Sequence, residues 1–238
     1  MRVGVVCEGA TDFVVISHFL GSSVESAGIN IDIFAIQPPS DNTKKGGCTE
    51  VIRWLQKNPP KLRDEVYFGG GLFAHVNEGI HCDLIVIQID SDILSDESFK
   101  NYLGNKGQEV QYYENPEERA NETERIIKAF ADFNDMTEAE KNKYIPIAAV
   151  DAIEAWCIAA FENLDYNPEE LQGERLRNAF GAVMSRSNGR HPEEAYAETC
   201  KNVSKRKSFC RKHSGSVFLI KQCNQFAKLH HEVVNKNV

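Results

Sequence analysis

Apolar positions set two rhythms along the chain. Residues 2–7 (RVGVVC) form a short β-branched run and predict a buried strand. Phe13, Ile16, Phe19, Leu20 and Val24 then recur at helical spacing, predicting a helix over 12–27 with Thr11 or Asp12 as its cap. Residues 30–37 alternate Ile31, Ile33 and Ala35 and predict a second strand, ended by Pro38 and Pro39. A short helix over 48–57 stops before Pro59. The run DLIVIQI at 83–89 is the strongest strand signal, and a strand apolar on both sides belongs at the centre of a helix-covered sheet. Residues 95–115 are polar and contain glycine, which predicts a loop or an irregular insertion. Ile126, Ile127, Phe130 and Phe133 mark an amphipathic helix over 117–133. Residues 144–150 (YIPIAAV) predict a strand that Pro146 places at a sheet edge, and a helix over 152–161 follows. From about 168 to 238 only helical patterns and basic loops remain.

Strand alternating with helix predicts an α/β fold, a mainly parallel sheet sandwiched by helices over residues 1–161. Residues 162–238 are expected to form a helical C-terminal appendage packed on it. FGGGLFA at 68–74 lacks the full dinucleotide fingerprint and reads as a turn.

Composition adds little to this, with 42% hydrophobic and 26% charged residues as in ordinary globular proteins. No apolar run approaches the roughly 20 residues of a membrane helix, and a carboxylate at position 8 comes too early for a signal peptide. Seven scattered cysteines, an odd number, fit a reducing, cytoplasmic compartment better than a disulfide framework. Cys200, Cys210, His213 and Cys223 have only a loose zinc-like spacing, so unlinked residues are the favoured reading.

Charge changes the picture more. The net charge of −8 argues, on its own, against a nucleic-acid partner. Residues 201–238, however, hold nine Lys or Arg and one acid, a local +8, which leaves −16 on the first 200 residues. The tail is either a solvated basic helix or a polyanion-binding surface.

Ligands of an open parallel sheet sit beyond the carboxyl ends of its strands. Glu8 follows the first predicted strand in EGATD, and Asp90 and Asp92 follow the central one in IDSD. Asp151 follows the strand at 144–150, with Glu154 three residues on and on the same helical face. Unit charges about 4 Å apart repel by about 4 kcal/mol at an effective dielectric near 20, so such a cluster calls for cations or protonation. Hard oxygen ligands suit Mg²⁺ or Mn²⁺, and two such ions can activate water and stabilise the leaving oxygen of a phosphodiester. Each acid alone has a plainer explanation as a helix cap or loop residue. The order of Glu8 and Asp90–Asp92 at two strand ends is what favours a shared metal site.

That order resembles the Toprim fold shared by topoisomerases, primases and the overcoming-lysogenization-defect nucleases. Its pattern, an apolar strand ending in Glu-Gly and a later one ending in Asp-x-Asp, stands here as VGVVCEG at 3–9 and LIVIQIDSD at 84–92. The likeness covers about residues 1–150. EGATD, with a second acid four residues after the glutamate, is similar to the start of the lysogenization-type nucleases. AVDAIEAW is similar to a helix of small Toprim-like proteins often encoded beside ATPases. The resemblance implies Glu8 as metal ligand or general base, Asp12 on the same ion, and Asp90 and Asp92 as Mg²⁺ ligands. Asp151 and Glu154 would complete a second site. It also implies a late catalytic lysine on the scissile phosphate, for which Lys205 and Lys207 are candidates. The segment 28–82 is longer than a minimal Toprim core needs, which leaves the strand order open. No Walker loop occurs, so an ATPase would be a separate chain.

The expectation is therefore a Mg²⁺-dependent nuclease acting on DNA or RNA, with Mn²⁺ as an alternative ion. The resemblance extends this to an anti-phage or toxin-like effector working with a separate ATPase, in an unknown oligomeric state that includes a homodimer. Lys205, Arg206, Lys207, Arg211 and Lys212 would track the nucleic-acid backbone. Two alternatives stand beside it. One is a metal-dependent phosphatase, disfavoured because Leu94 occupies the position where a haloacid-dehalogenase-like loop needs Thr or Val. The other is a non-catalytic Toprim-like subunit of an ATPase complex.

Overall fold

Strands β1 (Arg2–Val6), β2 (Asp32–Gln37), β3 (Leu84–Asp90) and β4 (Tyr144–Ala149) pair in parallel in the order β2-β1-β3-β4. The computed structural model describes residues 1–38, 46–69, 80–188, 191, 193–194, 202–215 and 217–236. β3 pairs on both sides and is buried from Leu84 to Ile89, as its continuous apolar run requires. β4 lies at an edge, where Pro146 stands opposite Ile87. Gly4 keeps β1 thin at its centre, because a Cβ there would collide with the Ile36 side chain of β2.

Helices cover both faces. α1 (Ala10–Ser26) follows β1, and α2 (Cys48–Lys57) and α3 (Pro60–Tyr67) follow β2. α4 (Glu97–Gly104), α5 (Pro116–Phe130) and α6 (Glu138–Lys141) lie between β3 and β4. After β4 come α7 (Glu154–Phe161), α8 (Gly173–Asn188), α9 (Val203–His213), α10 (Phe218–Gln222) and α11 (Asn224–Asn235). Alternating strand side chains split the core in two. Val3, Val5, Leu84, Val86, Ile145 and Ile147 pack with α1 and the helices after β4. Val6, Ile85, Ile87 and Ile89 pack with α2, α4 and α5.

The expected α/β sandwich is thus present, and the C-terminal helices are integral to it. Phe180 of α8, Phe209 of α9 and Phe226, Leu229 and Val233 of α11 belong to one core with the sheet. Glu169 ties this region down from inside: it accepts from Trp156 Nε1 at 3.0 Å and from the backbone N–H of Gln225 at the start of α11.

Two local expectations are corrected. The predicted loop at 95–115 contains α4, capped by Asp96, whose side chain accepts from Phe99 N at 2.9 Å. Phe99 and Leu103, four residues apart, supply its buried side, too few apolar positions to register as a periodic pattern. α2 ends at Lys57, before Pro59, as expected, and Pro60 opens a further helix, α3, where proline's missing N–H has no partner to lose. α1 starts on Gly9 rather than on Thr11 or Asp12, and the Asp12 side chain lies in its first turn. Most of FGGGLFA falls outside the described residues, as does Cys200. No described helix is long and apolar enough to cross a membrane.

Candidate metal centre

The order β2-β1-β3-β4 reverses direction between β1 and β3, and a crevice opens beyond the carboxyl ends at such a switch point. Glu8 leaves β1 and Asp90 closes β3 at this place. The Asp90 backbone N–H donates to Glu8 Oε1 at 2.8 Å. Gln88 Nε2, on a side chain fully buried in β3, donates to Asp90 Oδ1 at 2.7 Å and fixes that carboxylate. Ser91, also fully buried, accepts the Asp151 N–H on its Oγ at 2.8 Å. Asp92 N donates to the Asp151 carbonyl at 3.0 Å, so the turns after β3 and β4 are locked together.

The electrostatics of this corner are those of acids crowded together without enough water. Burial first, then Asp12 and Asp92, push the Glu8 carboxyl up to about 8. Burial and the nearby Glu154 raise buried Asp12 to about 7, although Arg206 pulls it down. Asp90 is driven well above the ordinary carboxylate range by burial and then by Glu8, Asp12, Asp92 and Glu154. Asp92, exposed at the rim, is raised to about 6 by desolvation of its carboxyl, with Asp151 and Glu154 adding to it. Glu8, Asp12, Asp90, Asp92 and Glu154 therefore share one electrostatic neighbourhood.

The second expected pair is placed differently from its prediction. Asp151 is outside the helix, with φ of 56°, and does not share a helical face with Glu154. A left-handed aspartate is held by its own contacts: Asp151 Oδ2 accepts from Gly173 N at 2.7 Å, at the start of α8. Glu154 opens α7 and accepts from Arg206 Nη2 on Oε1 at 2.5 Å. Asp92, Asp151, Glu154 and Gly173 border a cavity of about 120 Å³, room for an ion and a few waters.

Arg206 is the clearest displacement among the basic residues. The sequence places it on the nucleic-acid face, yet its side chain is fully buried against Glu154. It lies between α7 and α8, with its guanidinium carbon 4.8 Å from the Phe180 ring centroid. Lys207, Arg211 and Lys212 are exposed on α9, and Lys205 is half-buried near the helix start. Lys207 and Arg211 reach the neighbourhood of His18 on α1, whose pKa is lowered by burial and then by these two cations. Cys210 and Cys223 are buried in the core, and the His213 ring packs 4.6 Å from that of Phe209. No zinc set forms among the described residues.

Two participants have no motif to announce them. Gly46 and Gly47 bring the start of α2 against the first acid: Gly47 N donates to the Glu8 carbonyl at 2.8 Å. A Cβ on Gly46 would collide with that same carbonyl oxygen. The Gly-Gly pair before an amphipathic helix is the available signal. Gln88 is the other, a lone amide inside an apolar strand two residues before an acid.

Among the described residues no three His, Cys, Asp or Glu side chains already stand as a metal shell. The donor chemistry nevertheless fits Mg²⁺, which keeps several waters and takes one or two carboxylates rather than an all-protein cage. Glu8, Asp90 and Asp92 are hard oxygen donors, and the charges acting most strongly on Glu8 and Asp90 are other carboxylates. No family model matches the chain, and no curated protein or solved structure matches it either.

Proposed function

We propose that this chain is a Mg²⁺-dependent nuclease of Toprim type, hydrolysing phosphodiester bonds of DNA or RNA. The observation that carries this reading is the position of Glu8, Asp90 and Asp92 at the carboxyl ends of β1 and β3, beside the switch point of a parallel sheet, each with a raised pKa. Glu8, Asp90 and Asp92 would hold the ion, which supplies a polarised phosphate oxygen and an acidified water when bound. Gln88 and the Asp90 N–H orient the carboxylates of Asp90 and Glu8. Asp12, with its pKa near 7, is suited to take or give a proton at neutral pH. Lys207, Arg211 and Lys212 on the outer side of α9 would hold the phosphate backbone, with Lys205 the candidate for the scissile phosphate.

The same reading carries the wider assignments: a cytoplasmic effector in host defence or a toxin-like system, working with a separate ATPase. The test is Mg²⁺-dependent cleavage of plasmid, single-stranded DNA and RNA by the wild type beside Glu8→Gln and Asp90→Asn. Cutting by the wild type alone is expected. Equal cutting by all three proteins, or none by the wild type with Mg²⁺ or Mn²⁺, overturns the reading.

A further inference from the structure

The geometry points to Arg206 as a fixed cation of this centre, standing in the electrostatic place of a second divalent ion, so that the chain takes one Mg²⁺ and not two. The inference rests on the metal reading above and concerns only how many ions that centre takes.

Three observations carry it. The first is enclosure. The Arg206 side chain has 0% exposure while its partner Glu154 has 12%, and Nη1 lies 3.5 Å from Cys157 Sγ. A guanidinium held on several sides by α7, α8 and its own helix is a fixed part of the site, and its planar fork is always charged. Asn202 fixes the start of that helix by accepting from Lys205 N at 3.0 Å.

The second is neighbourhood. The carboxylates that act on Arg206 are Glu154 of α7 and Asp12 of α1, neither of them in the set formed by Glu8, Asp90 and Asp92. Arg206 thus offsets the part of the cluster that those three acids leave over. The third is occupancy of the expected second site. Glu154 Oε1 is bound to Arg206 and Asp151 Oδ2 to the Gly173 N–H, so an ion at this place would share both carboxylates with internal donors, one of which already carries a full positive charge. Glu8 and Asp90, by contrast, accept from neutral donors, the Asp90 N–H and Gln88 Nε2, which leaves their charge for a cation.

The experiment counts ions. Mn²⁺ binding to the full chain is read by isothermal titration and by the electron paramagnetic resonance signal of free Mn²⁺. One ion per chain is expected for the wild type and for Arg206→Lys, which keeps the charge. Arg206→Met, which removes it, is expected to take two. Two ions on the wild type, or one ion of unchanged affinity on Arg206→Met, overturns the assignment of Arg206 and leaves the metal reading standing. No ion on the wild type overturns the metal reading itself and this inference with it. Should Arg206→Met fail to fold, Glu154→Gln serves instead. It leaves the guanidinium to act on the rest of the cluster and is expected to weaken the single Mn²⁺ by at least about tenfold. Unchanged affinity there also overturns the assignment.

Discussion

The Asp90 backbone N–H donates to the Glu8 carboxylate at 2.8 Å across 82 residues of sequence. This bond joins the ends of β1 and β3 at the place where the strand order turns back, and it sets the first acid against the second. It also leaves Glu8 with an acceptor role that does not need its charge.

Glu8→Gln follows from that distinction. The amide oxygen keeps the bond from Asp90 N, while one negative charge leaves a group now held up to about 8. Above pH 8, without metal, the variant is expected to be more stable by at least about 1 kcal/mol, or roughly 2–4 °C in Tm for a chain of this size. Millimolar Mg²⁺ is expected to raise the wild-type Tm and leave that of the variant nearly unchanged. Thermal melts of both proteins with and without Mg²⁺ check this. A less stable variant that still responds to Mg²⁺ would count against the placing of the ion.

The same acids set a pH dependence. Glu8 and Asp12 have folded-state pKa values near 8 and 7, above their unfolded values near 4. Between those limits the folded protein holds protons that the unfolded chain has released, so stability falls as pH rises. The metal-free Tm is expected to drop from about pH 5 to pH 8 and then level off. Added Mg²⁺ replaces the protons and should flatten the fall, an effect absent below pH 5. A metal-free Tm that rises across this window has the wrong sign for clustered, uncompensated acids.

Much of the architecture could be read from the chain because burial on two sides leaves an unmistakable mark. LIVIQI at 84–89 is apolar at nearly every position and lies at the centre of the sheet, and the acids after it are placed by the strand. What stayed hidden depends on neighbours distant in sequence. Arg206 sits in SKRKS, which reads as a solvated basic run, yet Val203, Arg206, Phe209 and Cys210 fall on one helical stripe that packs inward. That stripe is the sequence signal for a buried arginine. The left-handed turn at Asp151 has no signal of this kind, since it is fixed by Ser91 and Gly173 from two other segments.

Gly46→Ala tests the packing of α2 on the first acid. The added methyl meets the Glu8 carbonyl oxygen and must push the start of α2 away from the β1 end. Loss of the 2.8 Å bond from Gly47 N then frees the Glu8 backbone. Mg²⁺ affinity is expected to weaken by about tenfold, the loss of about 1.4 kcal/mol, with the overall fold retained. Circular dichroism together with Mg²⁺ titration separates the two effects. Unchanged affinity would show that the Gly-Gly approach does not position Glu8.

The basic helix makes the sharpest contrast, because neighbouring cations on it are expected to do different things. Lys207, Arg211 and Lys212 are exposed, and replacing all three by alanine removes charge from a solvated surface. The Tm should then change little, while nucleic-acid affinity falls and its dependence on salt flattens by about 0.9 for each phosphate that is no longer neutralised. Arg206→Ala, one residue away, should behave in the opposite way. It strips a fully buried cation from Glu154, leaving that carboxylate beside Asp12 without its guanidinium partner, and is expected to cost about 3–5 kcal/mol of stability. Thermal melts and binding titrations at several salt concentrations measure both proteins in the same way. If the triple variant keeps both its affinity and its salt slope, α9 does not hold the polyanion, and the net charge of −8 again weighs against a nucleic-acid partner.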